Sequence, residues 1–233
     1  MSPLPSLNRY TRWQERWRDP VLTALLALLM IEIFIGMPLL RSAYVDARVF
    51  ALVWLCMIVA AVLVAARHWI AIAAILLSSV VALIANMVRF SDPTPETVCI
   101  GSISVMVFMA TLIWIVSHAV FGPGRVTMHR IRGAIVLYLC IALLFASLYQ
   151  VFVALIPNAI TGAAAHGKYL LIGQELVYYS FTTLTSTGYG DLTPVHPLVR
   201  SLSNLESVIG QLYPATLLAR IVSLELNARQ RDK

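Results

Sequence analysis

The chain has 233 residues, of which 60% are hydrophobic and only 12% charged, and its mean hydropathy is +0.83. This composition excludes an ordinary soluble domain and makes an integral membrane protein the first expectation. The net charge of +6 is not a nucleic-acid footprint, because the basic residues sit beside apolar runs as cytoplasmic membrane flanks do.

Before the first apolar run, Tyr10, Trp13 and Trp17 recur at helical spacing, with Arg9, Arg12 and Arg16 on a neighbouring face. Residues 1–19 read as an amphipathic segment at the cytoplasmic interface, with a disordered basic leader as the alternative. They hold no apolar core of the kind a cleavable signal needs. Asp19 and Pro20 suit a helix cap and first position, so a new helix is predicted to start there. Membrane spans are predicted over 21–40, 49–66, 69–88 and 98–121, which makes residues 20–124 a four-helix transmembrane domain. Spans two and three meet at Arg67-His68 in a tight hairpin, and Pro93 and Pro95 mark the next break. Glu32 lies mid-span, where an ionisable group is costly. It is either functional or a hydrogen-bonded packing residue. The fourth span carries Ser102, Ser104, Thr111 and Ser117 but no basic residue before His118. Cys56, Cys99 and Cys140 are scattered within apolar segments and suit small buried packers rather than a metal or disulfide framework.

Residues 125–233 open with the basic stretch Arg125–Arg132 and a fifth span over 131–156. A small-residue loop follows over 157–173, including Thr161, Gly162 and Gly167, and then a short helix over 174–185. A membrane crossing takes about twenty apolar residues, so this helix can only re-enter. Ser186-Thr187-Gly188-Tyr189-Gly190-Asp191 comes next, and a last span over 197–226 contains Gly210 and Pro214. Proline at 214 withholds a hydrogen bond from the Gly210 carbonyl and crowds it, which predicts either a moving hinge or a static kink. At roughly 100° per residue, Gln211, Ala215, Leu218 and Val222 share one face, with Glu206 and Arg220 near the opposite one. A cation pathway would repel Arg220, so the first face is the expected cavity lining. Glu206 is expected to pack against the short helix, with a direct pore role as the alternative, and Arg220 to snorkel to the cytoplasmic interface.

Tyr178 to Asp191 resembles the pore helix and selectivity filter of the potassium channel superfamily, whose pattern is Thr-x-Gly-Tyr-Gly-Asp after an aromatic-rich helix. The resemblance extends over about residues 131–226, and over the first 130 residues it is architectural only. It implies an all-α membrane protein with six transmembrane helices, a re-entrant pore helix and a filter loop. One filter segment per chain implies a homotetramer in membrane lipid, with K+ ions held by the backbone of Ser186, Thr187, Gly188 and Tyr189 and the filter ending at Gly190. Rings of carbonyls replace the water a cation sheds, and glycines at 188 and 190 reach the positive φ that aims them. Tyr178, Tyr179, Thr182, Thr185 and Asp191 then support the filter. Tyr189 is expected to point back toward Tyr178 and Tyr179, and Gly210 stands at the family's hinge. No other cofactor, small-molecule substrate or nucleic-acid partner is implied.

The departures matter. Ser186 replaces the usual Thr, and Thr187 stands where Val or Ile is common, so discrimination against sodium is expected to soften. The leading helices hold the position of a voltage sensor without its arginines, so voltage dependence of that kind is expected to be weak or absent. Few residues follow Leu226, so no nucleotide-binding or calcium-binding regulatory domain is expected. The distribution of arginines predicts cytoplasmic termini and an external filter in the cell (inner or plasma) membrane. A weakly selective cation channel and a non-conducting membrane scaffold are the alternatives. The hydrolase and metalloprotease motifs are absent, so an enzyme is not expected.

Overall fold

A computed structural model describes residues 9–36, 47–66, 68–91, 94–121, 128–162 and 169–231, with the backbone alone described at 9–19, 47–51, 90–91, 119, 129, 169–171, 221 and 224–231. The expectations for the side chains of Tyr10, Trp13 and Trp17, and those for Arg67, for Pro93, for 122–127 and for 163–168, lie outside what is described.

The helices are α1 (Arg9–Ile31), α2 (Ala47–Val64), α3 (Trp69–Ser91), α4 (Pro95–Phe121), α5 (Met128–Leu155), α6 (Tyr169–Leu184) and α7 (Pro197–Arg231). A π-helical turn, Glu32–Gly36, extends α1. Contrary to the expected start at Asp19-Pro20, α1 runs through Pro20. Proline removes a single intrahelical bond, a loss that the rest of this 23-residue helix absorbs.

Among the described residues, three helices are long and apolar enough to cross a membrane, at Trp69–Arg89, Pro95–His118 and Arg130–Leu155. Pro20–Gly36 and Leu52–Val64 are apolar but shorter, and α7 carries Arg200, Glu206 and Arg220 along its length. The sixteen residues of α6 span about 24 Å at 1.5 Å each, short of a hydrocarbon core of about 30 Å.

One apolar core joins α1 to α5 through Leu25, Leu29, Met57, Ala61, Ile75, Phe108, Leu112, Leu137 and Cys140. The antiparallel pair α4 and α5 packs closely because Gly133 has no side chain: a Cβ there would lie 2.7 Å from Val120 Cγ2. Without a hydrophobic drive between helices in lipid, such small-residue contacts and cross-helix hydrogen bonds hold them together. Ser102 Oγ donates to Gln150 Oε1 across this pair at 2.9 Å, and Arg132 Nη1 donates to Thr23 Oγ1 on α1 at 2.8 Å. Helices α1 and α4 therefore pack on α5 of their own chain, while α2 packs on α1 and α3 on α4. Hydroxyls within the apolar helices turn back on their own carbonyls. Ser79 donates to Ile75 O at 2.6 Å, Ser104 to Ile100 O at 2.8 Å and Thr111 to Val107 O at 2.7 Å. They need no outside partner. Glu32 is buried, and its Oε2 has no hydrogen-bond partner.

A second core lies under α6, where Phe145 and Tyr149 of α5, Leu176 and Tyr179 of α6 and Val199 of α7 meet Ala159 and Ile160. The short strands β1 (Ile160–Thr161) and β2 (Thr193–Pro194) pair antiparallel, Ile160 opposite Pro194. Val195 N also donates to Ala159 O at 2.9 Å. The loop before α6 is thereby tied to the chain just after Asp191.

Candidate functional site: the re-entrant helix and its glycine loop

The α6 helix starts at Tyr169, earlier than expected, and its end hands the chain directly to the glycine loop. Ser186 N donates to Thr183 O at 2.9 Å, and Thr187 N and Gly188 N both donate to Thr182 O, at 2.8 and 3.2 Å. One carbonyl of the last helical turn thus anchors two residues of the loop. Beyond it the backbone alternates: φ is +55° at Ser186, +53° at Gly188 and +83° at Gly190, with Thr187 and Tyr189 outside the positive region. Glycine explains two of these positions. The third, Ser186, was missed, since no sequence signal distinguishes a left-handed serine from an ordinary one. Its conformation costs about 1–2 kcal/mol.

The side chains around the loop divide between two sides of α6. The Tyr189 ring stacks on Tyr178 at 6.1 Å with 2° between planes. Thr182 turns back onto Tyr179 O at 2.9 Å. Tyr179 does not join Tyr189. One residue along a helix rotates the side chain by roughly 100°, and Tyr179 faces Tyr149 instead, ring centroids 5.0 Å apart. Tyr189 is 71% exposed and Tyr178 39%, so these rings lie on a surface that a single chain leaves open. Thr185 Oγ1 donates to Phe181 O at 2.7 Å and meets Thr187 Oγ1 at 2.8 Å.

At the other end of the loop, Ser186 Oγ accepts from Gln211 Nε2 at 3.0 Å and lies 3.4 Å from Ser207 Oγ. Ser207 in turn donates to Thr183 O at 2.9 Å. Of the expected cavity face, Gln211, Ala215, Leu218 and Val222 are all exposed, and Gln211 is the one that reaches the loop. Pro214 is also exposed, and α7 continues through it.

Gly210 is buried against the end of α6. A Cβ there would lie 1.8 Å from the Leu184 carbonyl oxygen. The structure thus supplies a packing reason for this glycine that the sequence did not reveal. Gly162 is similar: with φ +91°, its Cβ would lie 2.4 Å from Asp191 O.

Glu206, on the far side of α7 from Gln211, is fully buried. Tyr149 Oη donates to its Oε2 at 2.6 Å, and its Oε1 is hydrogen-bonded with Ser180 Oγ of α6. The expected packing against the short helix is present, and the burial argues against a direct pore role. Arg220 donates from Nη2 to Phe121 O at 2.6 Å, with its guanidinium 5.1 Å from the Phe121 ring centroid. A cation at the last carbonyls of α4 complements the helix dipole. Arg220→Ala is expected to loosen this contact by about 1 kcal/mol, measured as faster hydrogen exchange over residues 214–222.

Among the described residues no group of His, Cys, Asp and Glu is placed to hold a metal ion. The site is instead made of backbone: a half-length helix, a loop of alternating handedness and a long helix closing behind it, all within a membrane domain. Residues 133–226 match the family model described as ion channel. No curated protein and no solved structure matches the sequence.

Proposed function

We propose that four copies of this chain form a potassium-selective channel that passes K+ passively down its gradient. The observation that carries this reading is the alternation of φ from Ser186 to Gly190. Residues of alternating handedness direct successive carbonyls to one side, and a column of such oxygens stands in for a cation's hydration shell. In this reading K+ is the permeant ion, held by the backbone of Ser186, Thr187, Gly188 and Tyr189. The open surface of Tyr178, Tyr189, Gln211, Ala215, Leu218 and Val222 then faces neighbouring copies or the central pathway. The negative end of the α6 dipole, at Leu184, favours a cation below the loop. Six spans follow if α1, α2 and α7 cross together with the three apolar helices. The charge on α7 is then tolerated because one face meets water and another meets protein. The positive-inside rule places both termini in the cytoplasm of a cell-membrane protein.

The Ser186–Gln211 hydrogen bond bears on the less selective alternative, because it occupies one lone pair of the Ser186 hydroxyl. The purified chain in liposomes decides the matter. Potassium flux with a reversal potential near that for K+ supports the proposal. Equal sodium and potassium permeability selects the weakly selective reading, and no flux in a correctly assembled oligomer selects the scaffold.

A further inference from the structure

Behind the glycine loop, the contacts among five side chains from three helices and their carbonyl partners outnumber the protons that the four hydroxyls supply. Ser203 Oγ donates to Val199 O at 2.8 Å and so accepts from Tyr179 Oη at 2.6 Å. Tyr149 Oη spends its proton on Glu206 Oε2 at 2.6 Å, leaving none for Ser203 Oγ at 3.4 Å. Ser180 Oγ has a single proton and two oxygens within donating reach, Ala142 O at 2.7 Å and Glu206 Oε1. Once Ser180 donates to the carbonyl, the contact between Ser180 and Glu206 needs a further proton, and Glu206 is the group able to supply it.

The surroundings agree. The titratable groups facing Glu206 are Tyr138 and Tyr149 from α5 and Tyr179 from α6. All three are phenols, and among the described residues no cation stands with them. A carboxylate buried in this setting would have no counter-charge, which is costly.

We infer that Glu206 is a protonated carboxylic acid that donates to Ser180, making it a positioning residue that fastens α7 and α5 to the short helix. Ser180 lies two residues before Thr182, whose carbonyl anchors Thr187 and Gly188, so the fastening reaches the loop through one turn of helix. The proton assignment stands independently of ion conduction. Its consequence for flux rests on the pore reading.

The test uses the full chain in liposomes, with infrared spectra and potassium flux on the same samples. The wild-type minus E206Q spectrum at neutral pH is expected to show a carboxylic-acid C=O band. A carboxylate signature in its place overturns the inference. Glutamine can donate to Ser180 and accept from Tyr149, so E206Q is expected to retain flux within about threefold of wild type. E206A strands both hydroxyls and is expected to lose most of its flux. If E206Q is as damaged as E206A, the donor role is overturned. If E206A does not assemble, the infrared band and E206Q still decide. A wild-type protein that shows the acid band but passes no potassium refutes the pore reading and leaves the proton assignment intact.

Discussion

Gly190→Ala is expected to abolish potassium flux while leaving the chain folded and assembled. At φ +83° glycine meets no steric cost, whereas an alanine pays about 1–2 kcal/mol in the left-handed region, repeated in each copy around a shared axis. The cheapest relief is rotation of φ to a negative value. That rotation swings the adjoining peptide and turns its carbonyl away from the others. Within one chain, nothing lies within 4 Å of a Cβ added at 188 or 190. Loss of function would therefore come from the backbone, or from neighbouring copies, and not from crowding in the chain's own core. At +53° Gly188 sits nearer the well that alanine tolerates, so Gly188→Ala is expected to lose less flux than Gly190→Ala. Oligomer size by light scattering, paired with liposome flux, separates the outcomes. Undiminished flux in Gly190→Ala would mean that this backbone does not line the ion path.

Gly210→Ala is expected to disrupt the protein at the level of folding or assembly. If Gly210 mattered only as a hinge, alanine would stiffen α7 and stabilise it by about 1 kcal/mol through helix propensity. The packing reads otherwise, because the new Cβ would lie 1.8 Å from the Leu184 carbonyl oxygen. That obstacle is backbone, so no rotamer change removes it, and overpacking of this kind costs roughly 1–3 kcal/mol or more. Moving α6 away would also disturb Thr182 O and the two loop amides it accepts. A lowered unfolding midpoint together with lost flux is the expected result. A midpoint at or above that of wild type would favour the hinge account.

These two glycines show where legibility ends. Gly190 could be assigned from sequence because positive φ is a property of one residue, and glycine between an aromatic and an acid in a loop advertises it. The demand on Gly210 comes from a carbonyl twenty-six positions away by numbering (210 minus 184), and helical periodicity carries no record of a distant backbone. Gly162 against Asp191 O is the same case. Arg220 was placed correctly away from the cavity face, but its partner, the last carbonyl of α4, depends on how α4 ends beside α7. Tyr178 and Tyr179 are adjacent in the chain and looked equivalent as partners for Tyr189. Helix rotation then sends one to the loop and the other into the core with Tyr149 and Ser203.

The amino-acid sequence by itself determined that the chain is built of apolar helices, that one helix is too short to cross, and that a glycine loop follows it. Hydropathy, length and intrinsic φ preference are local quantities, readable one window at a time. Only the tertiary structure decided which hydroxyls meet Glu206, why Gly210 has no side chain, and that α1 and α4 rest on α5 of their own chain. Those depend on close approach between segments far apart in sequence, where a few tenths of an ångström separate contact from clash.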